Sequence, residues 1–371
     1  MAQDTTQDSR SKERTAPDPE DPRKPDSPTE ISKPSWGYVV KRAISEFSKD
    51  DCTDLAASLT YFAVLSLFPA LLAIVSLLGV FGQGEATTQA ILDFLDQYAP
   101  AALVTLLEEP INNLTTSTGA GLALVVGIVG ALWTASGYTG AFGRAMNRIY
   151  EVEEGRPIWK LRPVNLLVTL MLVLIVVLIM LMVLLSGGVA QWVGDLVGLG
   201  ATAVTVWNIA KWPVIVLLAI VLIAVLYYFT PNVQQPKFRW ISMGSIVALV
   251  VAALAAAAFT WYVVNFASYN ATYGIIGSVI ILLLGLWIIN NVLLLGAEID
   301  AEVERGRQLQ GGIKAEETIQ LPPRDTRQVD KKDKKAEKLV DQGRKLRLEH
   351  EHLDYSSDDS GKDADKASGR S

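Results

Sequence analysis

Long apolar runs without charge fill the middle of the chain, where a soluble protein would alternate apolar and polar positions around a core. The longest, residues 165–194, contains no Asp, Glu, Lys or Arg. About 20 apolar residues suffice to cross a bilayer. The pattern predicts an all-α polytopic integral membrane protein with six transmembrane helices, at about residues 55–81, 118–136, 163–186, 213–229, 241–266 and 273–297.

Polar segments flank this region at both ends. Residues 1–35 are rich in Pro, which predicts a disordered cytoplasmic leader. Residues 301–371 carry 16 basic and 16 acidic side chains, so we expect residues 307–371 to form a charged, mostly disordered cytoplasmic tail. Residues 36–306 then form the transmembrane domain. The balanced charge of the tail does not favour nucleic acid as a partner.

The distribution of Lys and Arg predicts how the chain is oriented. These residues lie before the first span and in the second and fourth loops, whereas the first, third and fifth loops contain only Lys211. Basic residues in short loops mark the cytoplasmic side. We therefore expect a multi-pass protein of the cytoplasmic membrane, with both termini in the cytoplasm and the lipid bilayer as its main partner.

Two connecting segments, residues 87–109 and 140–154, have the pattern of interfacial amphipathic helices. In the second, Arg144 and Arg148 are four residues apart and share a face. Such arginines are drawn to the headgroup layer. They either anchor the topology or contact an anionic lipid headgroup or anionic substrate.

Catalytic and metal-binding chemistry has little support in the sequence. Cys52 is the single cysteine, and both histidines, His350 and His352, lie in the polar tail. These counts do not support a Ser-His-Asp or Cys-His arrangement or a Cys-based metal site in the membrane region. No glycine-rich phosphate loop is present. We expect no catalytic residues, no metal, no cofactor and no enzymatic activity.

The first span contains polar groups at depth. Tyr61 and Ser66 lie within it, and Pro69 removes a backbone hydrogen bond and predicts a kink. The kink and the hydroxyls form either a hinge beside a cavity or a static bend that neighbouring helices satisfy. All three residues are candidates for a substrate path.

The sixth span contains the second group of candidates. Asn291 lies about 6–8 Å from the helix midpoint toward the cytoplasm, so its amide must face protein or water. Asn290 points about 100° away, so the two amides cannot serve one partner. Glu298 is expected to stay solvated at the inner headgroups. Asn291 and Glu298 either fix the packing of the helices or line a polar vestibule.

Small residues recur every four positions in two spans. One set is Ala248, Ala252, Ala256 and Thr260, and the other is Ala123, Gly127, Ala131 and Ala135. Small residues let membrane helices approach closely. These ridges serve either internal packing or a homo-oligomer.

Four stretches resemble the YihY/BrkB family of bacterial inner-membrane proteins, once mislabelled as a ribonuclease. They are "AASLTYFAVLSLFPALLA", "LWTASGYTGAFGRAMNRIYEVEEGRPIWKLR", "YYFTPNVQQPKFRWISMGSIVA" and "FASYNATYGIIGSVIILLLGLWIINNVLLLGAEIDAEVER". They occur in family order across residues 36–306. The resemblance implies a six-helix protein of the cytoplasmic membrane with an envelope-related or transport role.

Two functions remain open on these observations. The first is a transporter or permease of a small or lipid-like substrate, with a cavity among the first, second and sixth spans. The second is a non-transporting membrane scaffold whose charged tail binds cytoplasmic partners.

Overall fold

The computed structural model describes residues 11–25, 30–81, 120–185, 201–236, 242–265 and 269–367. This part of the chain is nearly all helical. Its long helices are α1 (Lys33–Lys49), α2 (Cys52–Phe81), α3 (Ala120–Ile149), α4 (Ile158–Leu184), α5 (Ala201–Phe229), α6 (Met243–Asn265), α7 (Tyr269–Gln310) and α8 (Arg327–Ala367).

The predicted spans fall within helices α2 to α7. Four helices are long and apolar enough to cross a membrane, over Ile158–Val183, Thr202–Phe229, Met243–Asn265 and Val279–Gln310. In α2 the corresponding apolar segment, Cys52–Ser66, is shorter within the described residues. An all-α membrane protein is therefore confirmed, while the count of six spans stays a prediction.

Helix α7 is the centre of the bundle, since it contacts α1, α2, α3 and α6, while α4 packs between α3 and α5. The best-buried apolar residues gather at one end, which we call the polar end. It comprises the chain junctions at residues 50–52, 150–157, 230–236 and 311–326. Among its core side chains are Leu59, Phe142, Met146, Leu226, Leu294 and Ile319.

Two glycines set the closest helix contact. A Cβ atom on Gly244 of α6 would collide with the backbone of Gly296 of α7, and one on Gly296 would collide with Tyr227 and Ala248. Ala248 is a member of the predicted small-residue ridge on α6 and is fully buried here. The ridge therefore packs inside the bundle at this level.

A buried arginine joins α7 to the rest of the polar end. Arg305 is 1% exposed and donates to Glu302 at 3.0 Å, to Oε1 of Glu151 at 2.9 Å and to the carbonyl oxygen of Ala315 at 2.9 Å. The other carboxylate oxygen of Glu151 accepts the backbone N–H of Ile319 at 2.8 Å. A guanidinium can be buried when its donors are matched in this way.

The polar tails differ from the sequence-based expectation. Residues 313–329 were expected to be solvated, yet the segment packs on the bundle and buries five apolar side chains, Ile313, Ala315, Ile319, Leu321 and Val329. The backbone N–H of Gln234 also donates to the carbonyl oxygen of Pro322 at 2.8 Å. Apolar residues spaced irregularly through a charged tail carry no helical period, which is why the sequence did not indicate this contact.

The leader also contributes a packed segment. Lys24 is buried and pairs with Oε1 of Glu304 at 3.0 Å, and buried Lys12 donates to the carbonyl oxygen of Glu151 at 3.0 Å. The expectation of a disordered leader is therefore wrong for residues 11–25. Its lysines neutralise acidic groups that the polar end of the bundle would otherwise leave buried and uncompensated.

The interfacial helix expected at residues 140–154 is instead the last turns of α3 and the junction that follows. Its apolar face, with Phe142, Met146 and Ile149, is buried in the core. Helices α2 and α7 cover that face, so it is not the free apolar face that an interfacial helix requires. The other predicted interfacial helix, residues 87–109, lies outside the described residues.

Truncation within the tail tests this packing. A chain ending at Asp330 keeps the buried segment, and we expect its thermal midpoint in detergent to stay within about 2 °C of the full chain. A chain ending at Gln310 loses five buried apolar side chains, each worth about 1–3 kcal/mol, and should be clearly less stable. Tryptophan fluorescence during heating measures both. Equal midpoints for the two truncations would contradict the packing described above.

Candidate functional site

A cavity of about 180 Å³ opens at the polar end between α5, α6 and α7. Three tyrosines, three charged groups and apolar side chains share its wall. The tyrosines and charged residues of the wall are Tyr150, Tyr227, Tyr228, Asp300, Glu304 and Arg307. Its apolar side chains include Met243, Ile246 and Leu321. The wall is thus amphipathic, which suits a ligand with a polar group and an apolar body.

The charged groups of the cavity have protein partners. Asp300 accepts the backbone N–H of Gly244 at 2.6 Å. Glu304 accepts from Lys24 at 3.0 Å and from Arg307 at 2.7 Å. Lys24 belongs to the leader, so a segment far away in the sequence holds one charged side chain of the cavity wall through an ion pair.

A file of aromatic and polar side chains leads from the cavity into the bundle. Tyr227 stacks on Phe142 with ring centroids 6.1 Å apart, and Phe142 stacks on Tyr138 at 6.3 Å. The Tyr138 hydroxyl donates to Oδ1 of Asn290 at 2.8 Å, and Nδ2 of Asn290 donates to the Thr60 hydroxyl at 3.1 Å. We call these five residues the polar file.

The two adjacent asparagines differ as their helical positions predict. Asn290 is 3% exposed and joins α2, α3 and α7 through the polar file. Asn291 donates to the carbonyl oxygen of Trp287 in its own helix at 2.8 Å. The sequence-based candidate was Asn291, but the structure brings Asn290 into the interior.

Glu298 does not stay solvated, and this expectation was wrong. It is 1% exposed and accepts the thiol hydrogen of Cys52 at 3.4 Å. The turn between α1 and α2 folds over this part of α7 and excludes water. Trp287, eleven residues earlier, also bonds the start of α2, since its indole N–H donates to the Thr53 carbonyl oxygen at 3.1 Å.

The candidates in α2 do not meet at this site. Tyr61 is 61% exposed on the outside of the bundle, edge-on to Phe62. Ser66 is half-buried and donates to the carbonyl oxygen of Phe62 at 2.7 Å. Pro69 falls inside the continuous helix α2, where the described part includes the backbone but not its side chain. None of these three belongs to the polar file.

The two arginines of α3 have different surroundings. Arg148 donates to the Asp51 carboxylate at 2.6 Å and lies 3.7 Å from that of Asp50. Arg144 lies over the ring of Phe62, with its guanidinium carbon 5.7 Å from the ring centre. Arg148 therefore links α3 to the turn after α1 through ion pairs, whereas Arg144 faces an aromatic ring.

Sequence reasoning did not single out Asn290, Tyr138 or Asp300. The sequence did contain an indication of the interior position of Asn290. An amide in an apolar helix must find a hydrogen-bond partner, and Thr60 offers a hydroxyl on another helix. Choosing between two adjacent amides required knowing which face of α7 meets α3. In the described parts of the chain, no group of three or more His, Cys, Asp or Glu residues is placed to hold a metal ion.

The adjacent asparagines provide a matched pair of variants. Asn290→Leu leaves the buried Tyr138 hydroxyl without its acceptor, so we expect a loss of about 1–3 kcal/mol in the free energy of unfolding. Asn291→Leu removes a bond within one helix turn and should cost less than about 1 kcal/mol. Denaturation in detergent compares the two. The reverse order would show that Asn290 is not the interior amide.

The carboxyl group of Asp50 should make the stability of the folded chain depend on pH. Burial raises the pKa of Asp50 from 3.8 to about 6, although Arg148 acts in the opposite direction. The folded chain therefore holds this proton to higher pH than the unfolded chain, and the group destabilises the fold as pH rises from about 4 to about 6. We expect Asp50→Asn to be more stable than the parent by about 2 kcal/mol at pH 7.5.

That advantage should fall to about 0.5 kcal/mol near pH 4, where Asp50 is protonated in the folded chain and, with a pKa of 3.8, about half protonated in the unfolded chain. Thermal midpoints of the two proteins at pH 7.5 and pH 4 give the comparison. An advantage of the same size at both values would mean that Asp50 does not titrate in this range.

Comparison with known proteins gives the family. The family model described as "Virulence factor BrkB" matches residues 43–319. The chain is 29% identical over 270 residues to YfkH of Bacillus subtilis (strain 168), whose name calls it ribonuclease-like; the match covers 73% of this chain and 96% of that protein. No solved structure matches the chain.

Two relatives are named UPF0761 membrane proteins. The one from Alkalilimnicola ehrlichii is 28% identical over 70% of this chain and 56% of its own length. The one from Ralstonia nicotianae, RSc1559, is 30% identical over 74% of this chain and 61% of its own length. The chain thus spans little more than half of these two relatives. Since the family model covers the end of α1 and all of helices α2 to α7, the chain belongs to the BrkB family of membrane proteins.

Proposed function

We propose that the protein is a permease of the cytoplasmic membrane that moves a small or lipid-like substrate for the cell envelope. The observation that carries this proposal is the polar file, which runs from an amphipathic cavity at the polar end to Asn290 and Thr60 among α2, α3 and α7. A bundle that served only as an anchor would have no need of polar groups in sequence from a cavity inward.

The size and lining of the cavity suit a first binding site for such a substrate. Its volume of about 180 Å³ is below the range of about 300–1,000 Å³ typical of drug-sized ligands. A small molecule or the headgroup of a lipid is the size that it can hold. Tyr228 and Tyr227 offer hydroxyls and ring faces, while Met243 and Ile246 offer apolar contact.

The orientation proposed for the permease puts the polar end in the cytoplasm. Within the described residues, basic side chains that predict cytoplasmic loops lie at or beside the junctions of this end, among them Arg148 and Arg156. The leader and the segment before α8 pack here too. With this orientation the cavity would take its ligand from the cytoplasmic side or inner leaflet.

The charged groups of the cavity are already paired within the protein, and this favours transport over catalysis. Asp300 and Glu304 are engaged by Gly244, Lys24 and Arg307, so neither is poised beside a nucleophile. Both histidines of the chain lie in α8, and no histidine is among the described residues that line the cavity. The word ribonuclease-like belongs to the name of the Bacillus subtilis relative, and we propose no such activity for this chain.

A second candidate is the scaffold, and one observation favours it. Helix α8 is 41 residues long, and its side chains are nearly all exposed over residues 331–350. A charged helix of this kind could present a surface to a cytoplasmic partner. Deleting residues 331–371 separates the two functions, because the packed segment before α8 is kept. The permease should still complement a deletion strain without α8, whereas the scaffold should not.

Cysteine accessibility tests the path itself. In a Cys52→Ser background, which keeps a hydroxyl to donate to Glu298, single cysteines replace Tyr228 in the cavity, Asn290 in the polar file and Leu294 in the dry core. A charged, membrane-impermeant thiol reagent is added to inverted or right-side-out vesicles. We expect fast labelling at position 228 and slower labelling at position 290, both in inverted vesicles only.

Leu294 is the matched control, since it lies one turn from Asn290 on α7 and is fully buried. It should stay unlabelled. If position 290 is as unreactive as position 294 from both sides, the polar file is dry and the permease proposal fails. Equal labelling at 290 and 294 would indicate general opening of the bundle and would also contradict a defined path.

A further inference from the structure

Two arginines near the polar end face aromatic rings instead of carboxylates. Arg144 of α3 lies 5.7 Å from the ring centre of Phe62, and Arg162 of α4 lies 5.4 Å from that of Trp133. Within the described residues neither arginine forms an ion pair. Arg148, one turn after Arg144, does pair with acidic side chains. Arg144 and Arg162 therefore hold charge that no acidic side chain in the described part of the chain neutralises.

The two arginines lie at the same level of the bundle. Arg144 is five residues before the end of α3, and Arg162 is four residues after the start of α4, so each is about 6–8 Å from the turn between these helices. The charge of Arg162 acts on Arg144 directly. Placing two like charges together is unfavourable unless an anion lies between them.

A third donor comes from α4. Asn165 is three residues after Arg162 and shares its face. An atom at the missing Cβ of Gly140 would lie 3.1 Å from the amide nitrogen of Asn165 and 3.8 Å from Nη1 of Arg144. Gly140 thus lets the amide and the guanidinium come close. Asn165 is buried, and among the described residues its side chain has no hydrogen-bond partner.

The helices that carry these donors are fixed to each other one turn deeper. The hydroxyls of Thr139 and Thr169 share a hydrogen bond of 2.7 Å between α3 and α4. The Thr169 hydroxyl also bonds the carbonyl oxygen of Asn165 at 2.7 Å. The donors are therefore held at a defined separation before any ligand arrives, which reduces the ordering cost of binding.

Guanidinium groups over aromatic rings suit a phosphate ligand. Stacking uses the face of the guanidinium and leaves its N–H donors in the plane available. Those donors match the geometry of phosphate oxygens, which they bind in pairs with charge-assisted hydrogen bonds. A carboxylate partner would have occupied the same donors, as Asp51 does for Arg148.

The surroundings favour a phosphate that is attached to acyl chains. Large apolar side chains are exposed on the same three helices, on α2 at Tyr61, on α3 at Trp133 (the ring under Arg162) and on α4 at Leu167. In a membrane protein such a surface contacts lipid. A free phosphate ion would gain nothing from these side chains.

From this arrangement we infer that Arg144, Arg162 and Asn165 form a binding site for the phosphate group of a membrane lipid, whose acyl chains lie along the outer surface of α2, α3 and α4. A phosphomonoester lipid, with the higher negative charge, should bind best. The site would exist whether or not the protein moves its ligand, and equilibrium binding tests it separately from the cysteine experiment.

The test uses the purified full chain in nonionic detergent, with native mass spectrometry to count bound dioctanoyl phosphatidic acid. Arg144→Gln and Arg162→Gln should each raise the Kd at least tenfold. Arg144→Lys, which keeps the charge but not the paired donors, should raise it by a smaller factor. Arg148→Gln is the matched control and should change the Kd less than twofold. Thermal midpoints without lipid identify any variant that is misfolded.

Dioctanoyl glycerol, which lacks the phosphate, should bind no more tightly to the parent than to the arginine variants. Inorganic phosphate at millimolar concentration should not displace the lipid. The inference is overturned if well-folded Arg144→Gln and Arg162→Gln bind phosphatidic acid like the parent, or if dioctanoyl glycerol binds equally well. Displacement by inorganic phosphate at the concentration of the lipid itself would overturn the assignment to lipid.

Discussion

The buried guanidinium of Arg305 is the interaction on which the rest of the polar end depends. A charge away from water is tolerated only when its donors are matched, and Arg305 finds its acceptors on α7, on the junction after α3 and on the tail. Glu151 then orders the tail further through the N–H of Ile319. Glu151 has a positive φ of 54°, a conformation uncommon outside glycine, which this network holds in place.

The cavity depends on the packing of the tail and the leader at the polar end. The tail segment contributes Leu321 to its wall, and the leader neutralises Glu304 through Lys24. The tail thus forms part of the cavity wall, while the leader holds a charged side chain of that wall in place through an ion pair. The polar file starts there, while Arg144 and Arg162 lie on the lipid-facing side of the same end. The polar end therefore carries both the start of the polar file and the two arginines of the proposed lipid site.

The sequence predicts the helices well because long apolar runs have one stable conformation in a bilayer. The different directions of Asn290 and Asn291, about 100° apart around the helix, were also predicted from helix geometry alone. The burial of Glu298, the role of Asn290 and the packed tails could not be predicted, since each depends on contacts between residues far apart in sequence. The sequence made Arg144 a candidate for contact with an anion, and that stays a prediction; Arg162, at the same level, lies on another helix and was not a candidate.

A double-mutant cycle between Arg305 and Glu151 tests the central role of this cluster most directly. The free energy of unfolding in detergent is measured for Arg305→Gln, Glu151→Gln and the double variant, with the exposed pair Arg344 and Asp341 as a control cycle. We predict a coupling of at least about 2 kcal/mol for the buried pair and below about 1 kcal/mol for the exposed pair. Additive effects at Arg305 and Glu151, within about 0.5 kcal/mol, would contradict this account.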